Sequence, residues 1–219
     1  MVYKILSVND IDNEMSMKYL SMMSDLKKNK MLDMKDKFRA TQLFLGEILA
    51  RQCLSELCDA PEFSFKLLIN PDSKSIVSNF SANISVSTSG KYVACCASKD
   101  NVGISINEPV PFTFTEAQKI LSDVEMRYLY SFSKYSFVDN ITKVTSDEDD
   151  VMKKYAMMLS LKNACFYASG RGIRSSVIKN TFDFSDGRFI CSDNEYNVVL
   201  SEFSDEKNLA CAIVERRKL

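Results

Sequence analysis

Residues 82–107 read ANISVSTSGKYVACCASKDNVGISIN, and this stretch decides the fold class. ANISVST at 82–88 alternates apolar and polar residues, as a strand with one buried face does. Ser89-Gly90-Lys91 reads as a turn and YVACCAS at 92–98 as the return strand. Lys99-Asp100-Asn101 is a second turn. VGISI at 102–106 is a third strand, stopped by Pro109 and Pro111. The expectation is a meander of antiparallel strands.

Upstream, VYKILSV at 2–8 reads as a strand. Residues 13–30 read as a polar helix, with Met17, Leu20, Met23 and Leu26 at helical spacing. From about 34 to 56 the pattern is a stronger helix, with Phe38, Leu45, Ile48, Leu49 and Cys53 close to one face. Gly46 inside it costs stability relative to alanine and implies close packing. Residues 62–70 and 75–79 are short strands around Pro71 and Asp72. Downstream, 115–133 is helical and includes Glu116 and Glu125. The acidic run SDEDD at 146–150 leads into a long helix over 151–168, which Gly170-Arg171-Gly172 ends. Strands are expected near 186–191, 195–203 and 208–215. KYVACCASK at 91–99 resembles KNLACAIVE at 207–215, and each lies at the end of a helix-then-strands half. The reading is an α+β fold of two similar halves, 1–110 and 111–219, in one compact unit around a pseudo-twofold.

Composition narrows the chemistry. The 219 residues contain no histidine, so Ser-His-Asp and Cys-His catalysis cannot arise within this chain. General acid or base work falls to Asp, Glu, Lys, Tyr or Cys. Seven cysteines with irregular spacing and no CxxC pair read as small buried hydrophobes in a reducing compartment, not as disulfides or a zinc site. A net charge of −1 gives no overall field for nucleic acid. Lys27, Lys28, Lys30, Lys35 and Lys37 cluster locally, as a solvated helix face or a patch for phosphate. No apolar run is long enough to span a membrane, and a cytoplasmic monomer is expected.

Three segments resemble the Sfp-type phosphopantetheinyl transferases in order and spacing. The first is Ser87-Thr88-Ser89-Gly90-Lys91, where that family has a Ser-His-Ser-Gly turn. The second is Val102-Gly103-Ile104-Ser105-Ile106-Asn107, where it has Gly-Ile-Asp-Ile-Glu. The third is Leu161-Lys162-Asn163-Ala164 leading to Gly170-Arg171-Gly172, where it has Lys-Glu-Ala and a Gly-x-Gly turn. Gly46, Arg51 and Glu125 lend further support. The resemblance implies that family's fold, and it implies transfer of the phosphopantetheine arm of coenzyme A to a carrier-protein serine with magnesium on the pyrophosphate.

The family's magnesium acids fall at Ser105, Asn107 and Asn163, so the resemblance also implies a degenerate site. Its turn histidine is Thr88, its tryptophan Leu159 and its second lysine Tyr167. Residues left to act in the cleft are Glu125, Lys162 and Asn163. Contacts to coenzyme A or a pantetheine-like ligand would fall to Thr88, Ser89, Gly90, Tyr167 and Lys74, the nearest basic residue to the missing Gly-Lys-Pro grip. Magnesium is not expected. The implied protein is an accessory to a carrier protein or a biosynthetic-pathway enzyme. Two alternatives remain open. One is metal-free chemistry using Glu125, Lys162, Tyr167 or Cys165. The other is a working transferase with displaced ligands, such as Glu108 re-aimed by a bulge.

Overall fold

In the computed structural model, which describes residues 1–69, 75–77, 79–130, 149–170, 180–185 and 187–217, the chain divides into two units, Met1–Lys99 and Asp100–Leu219. Both are mixed α and β with antiparallel sheets. The first contains β1 (Val2–Ser7), α1 (Asn13–Met22), α2 (Asp25–Leu32), α3 (Lys37–Cys58), β2 (Leu68–Ile69), β3 (Ser75–Val77), β4 (Asn83–Ser89) and β5 (Tyr92–Ser98). Its sheet runs β1-β5-β4-β3-β2.

Asp36 starts α3 by accepting a hydrogen bond from the Arg39 N–H at 2.9 Å, and Asp59 ends it in the left-handed region at φ 50°. Between these caps, Leu45, Ile48, Leu49, Cys53 and Leu54 are fully buried against Val93, Cys95 and Ala97 of β5. A methyl group on Gly46 would lie 3.2 Å from Val86 Cγ1, so the helix rides close to β4 there. Phe38 departs from the expected face and is 49% exposed, because it lies in the first turn, short of the sheet. The single helix expected over 13–30 is two. Met23 and Ser24 are extended, and Ser24 restarts the chain as α2. That break turns Met17, Leu20 and Leu26 outward, while Tyr19 and Met23 enter the core.

The second unit contains β6 (Asn101–Asn107), α4 (Phe114–Gln118), α5 (Asp123–Tyr130), α6 (Asp149–Ser169), β7 (Phe182–Ser185), β8 (Arg188–Cys191), β9 (Tyr196–Ser204) and β10 (Leu209–Arg216). The helix expected over 115–133 breaks before Asp123, where Ser122 and Glu125 form a fresh start. Residues 131–133 of that reading lie outside the described residues, as do Lys74, Arg171 and Gly172. Gly170 takes φ +63° and closes α6 at the expected place. Strand β7, absent from the sequence reading, forms a hairpin with β8.

The third strand of the expected meander has a different partner. β6 does not extend the β4-β5 sheet. It pairs antiparallel with β10, from Asn101↔Arg216 to Asn107↔Ala210, and the sheet order is β6-β10-β9. Chain proximity favoured β5, but the pairing is set by which strand completes a sheet under α6. The two similar strings, 91–99 and 207–215, become β5 and β10, the buried strands flanked on both sides in their sheets.

Helix α6 sits on β6 at backbone contact. A Cβ on Gly103 would lie 1.9 Å from the Ala164 carbonyl oxygen and 2.6 Å from the Ala168 nitrogen. Main-chain atoms cannot swing aside as side chains do, so only glycine fits. Ala156, Ser160, Ala164 and Ala168 recur every fourth residue on that side of α6, and all four are buried. Gly103→Ala is expected to cost about 2–3 kcal/mol or more in urea unfolding. Gly46→Ala, facing only a valine methyl, should cost clearly less. Equal losses at both sites would refute the backbone-contact account.

Candidate functional site

Residues two apart on a strand share a face, so Gly103, Ser105 and Asn107 all face α6. Ser105 is buried and Asn107 is partly buried at the end of β6. The Asn107 amide nitrogen donates to Ser160 Oγ at 2.9 Å and to Ser105 Oγ at 3.2 Å. Ser160 has one hydroxyl proton, and carbonyls take it: Ala156 O lies at 2.9 Å and Ala210 O at 3.4 Å. Ser160 must therefore accept from Asn107, which fixes the amide's orientation. Asn163 is half-buried, just short of one turn beyond Ser160. The three positions thus carry two amides and a hydroxyl, all neutral, and two of them are tied to each other.

Glu108 does not re-enter this face. The β6–β10 register runs without a shift, and the strand ends at Asn107. Among the described residues, no group of three or more Cys, Asp and Glu side chains is placed to hold a metal ion.

Glu125 and Lys162 meet directly, with Oε2 and Nζ 2.8 Å apart and both side chains 0% exposed. The carboxylate is saturated. Oε2 also accepts from the Ser122 N–H at 2.7 Å and hydroxyl at 2.9 Å, and Oε1 accepts from the Phe182 N–H at 2.9 Å. Lys162 donates in addition to the Asn180 carbonyl at 2.8 Å. Burying two charges is tolerable only with such full satisfaction. The pair anchors α5, α6 and the approach to β7, and both side chains are buried and engaged within the fold. The sequence expectation named each of these residues separately and did not foresee that they pair.

Cys165 follows Lys162 by three residues and is buried. Its hydrogen bond to Cys191, together with burial, pushes its thiol up, so it stays protonated and is no primary nucleophile. Tyr167 packs edge-on against Phe166 with ring centroids 5.5 Å apart.

In the first unit, Thr88 and Ser89 end β4, and Gly90, at φ +48°, opens the turn to β5. An arginine that the sequence reading did not single out stands beside it. Arg39 Nη1 donates to Thr88 Oγ1 at 3.1 Å and to Gln42 Oε1 at 3.0 Å, while Gln42 Nε2 donates to the Gly90 carbonyl at 2.8 Å. The only sequence signal for it was its place three residues after the cap Asp36. The turn is thus braced from α3 and carries a fixed positive charge.

No protein-family model matches this chain, and no curated protein matches it. No helix among the described residues is long and apolar enough to cross a membrane.

Lys162→Met leaves Glu125 charged and alone in the core. It is expected to lose about 3–5 kcal/mol in chemical denaturation, and Glu125→Gln combined with Lys162→Met should recover much of that. A single-variant loss within about 0.5 kcal/mol would mark the lysine as a surface residue instead.

Proposed function

We propose that this chain is a degenerate phosphopantetheinyl transferase-like protein. In this reading it keeps that family's two-half α+β fold, lacks magnesium-dependent transfer, and serves as a binding protein for a carrier protein or a pantetheine-like ligand such as coenzyme A. The observation that carries the proposal is the hydrogen-bonded set Asn107–Ser105–Ser160 between β6 and α6. Magnesium on a pyrophosphate requires hard, mostly anionic oxygen ligands. Here the matching positions offer none, and the amide nitrogen of Asn107 is already committed to two hydroxyls. The donor set does not fit the ion, and no step is routed through one.

Two further features support retention of binding. The Thr88-Ser89-Gly90 turn holds Arg39, whose planar guanidinium suits phosphate better than a flexible lysine does. Gly103 remains where a side chain would push α6 off β6, so the framework around the altered positions is intact. The alternative of metal-free chemistry by Glu125, Lys162 or Cys165 has less support, since all three are buried and engaged.

The discriminating experiment incubates the protein with coenzyme A, magnesium and an apo carrier protein, and follows the carrier by intact mass. No gain of the phosphopantetheine arm is expected, and a gain at catalytic protein concentration would sink the reading. Calorimetric titration with coenzyme A should show binding that is indifferent to added magnesium. Arg39→Ala should weaken it about tenfold, the loss of one charge-assisted bond. An absence of any coenzyme A or carrier binding would remove the binding role.

A further inference from the structure

Helix α2 is attached to the first unit through charge more than through apolar burial. None of its residues is buried, and only Lys27, Lys28 and Met31 are even partly covered. Its leucines face water, Leu26 at 82% exposure and Leu32 at 70%. The polar side chain that it sends inward is a lysine. Lys27 Nζ lies 3.0 Å from Glu47 Oε2, and the Glu47 side chain is 2% exposed. Met31 packs against the margin of the core cluster, and Lys37 donates to the Leu32 carbonyl at 2.7 Å on the exposed side. Ser24, at the N-cap, contributes no side-chain hydrogen bond. A helix this short does not hold its shape in water by itself. With its lysine inward and its leucines outward, it draws little docking energy from its apolar side chains.

Both ends of α2 are joints between fixed points. On the entry side Met23 and Ser24 are extended, Met23 is buried, and Arg51 Nη2 holds the Met22 carbonyl at 3.4 Å. On the exit side Asp36 is fixed where it caps α3 through the Arg39 N–H. Departure of Lys27 strands no charge in the core. Glu47 Oε1 keeps Arg51 Nη2 at 2.9 Å, and Arg51 keeps the carbonyls of Glu62 and Phe65. Glu47 Oε2 meets water as the helix leaves.

We propose that α2 is a hinged strap, latched to α3 by Lys27–Glu47, that opens as one piece while α3 and its sheet stay folded. The latch is the charge on Lys27, and neutralising that ammonium releases the strap. Opening uncovers the Glu47 carboxylate together with the Arg51 guanidinium. The Nε of Arg51 is buried and has no hydrogen-bond partner among the described residues in the closed form. The strap thus controls access to a carboxylate–guanidinium pair, and it does so whatever the chain binds.

Amide hydrogen exchange of the folded full chain, read by NMR, tests this. In the unsubstituted chain the amides of 28–33 should exchange at least about a hundredfold faster than those of 45–54, at rates that low urea leaves unchanged. Lys27→Met should speed exchange in α2 about tenfold further, the loss of one charge-assisted bond, with 45–54 unaltered. Lys28→Met breaks only the exposed pair with Asp25 inside the helix and should change both regions by less than about twofold. If Lys27→Met does not fold, the urea series on the unsubstituted chain decides. The proposal is overturned if α2 exchanges only together with α3, or if the two lysine variants speed α2 equally.

Discussion

The contact between the β6 main chain at Gly103 and the α6 main chain at Ala164 and Ala168 is the constraint on which the second unit depends. It forces small residues along one side of α6 and fixes the height of that helix above the sheet. At that height a serine on the helix, Ser160, reaches an asparagine on the strand, Asn107, in one hydrogen bond. Larger residues at either surface would separate the two elements and break that polar link as well as the apolar packing. Packing and polar chemistry are therefore one problem here: the glycine that permits the close approach lies on the same strand face as Ser105 and Asn107.

The unit handles polarity in two ways. Around Asn107 the groups are neutral, and both Asn107 amide protons and the Ser160 hydroxyl proton have identifiable acceptors. Around Glu125 an ion pair is buried, and the cost of burial is offset by backbone N–H, hydroxyl and carbonyl partners. The first arrangement offers a cation no anionic oxygen. The second holds together three elements that the apolar core alone would orient less strictly. The first unit has a comparable buried ion pair, Glu47 with Arg51, whose guanidinium also reaches the carbonyls of Glu62 and Phe65.

Local pattern revealed local structure. The alternation in 82–107 located β4, β5 and β6, and Gly170 marked the end of α6. Non-local facts were invisible. Nothing near Val102 says that β6 will pair with β10, since pairing is decided by a helix and a strand far along the chain. Likewise, a lysine and a glutamate 37 positions apart carry no spacing signal, so nothing in the sequence pairs Lys162 with Glu125 although the two meet in the core. Two signals went unused. Ser122-x-x-Glu125 is a capping pattern that breaks the helix expected over 115–133, and Ser24 after Met23 is the cap that divides 13–30. At the site, the identity of Ser105, Asn107 and Asn163 was legible at once. The role of Ser160 was not, because a lone serine inside an apolar helix looks like filler until its neighbour across the gap is known.

The pairing of β6 also sets an order of events during synthesis. Every strand of the first sheet, β1 to β5, is complete once Ser98 has been made. The next residues belong to a strand whose partner is made roughly a hundred residues later, and such distant pairings are slow to close. Until then β6 offers an unpaired edge rich in valine and isoleucine, the kind of segment that recruits wrong partners. The chain thus carries a built-in interval of vulnerability on the ribosome. Its length is set by how fast residues 108–208 are translated, and a chaperone that shields short apolar strands would be of most use within it.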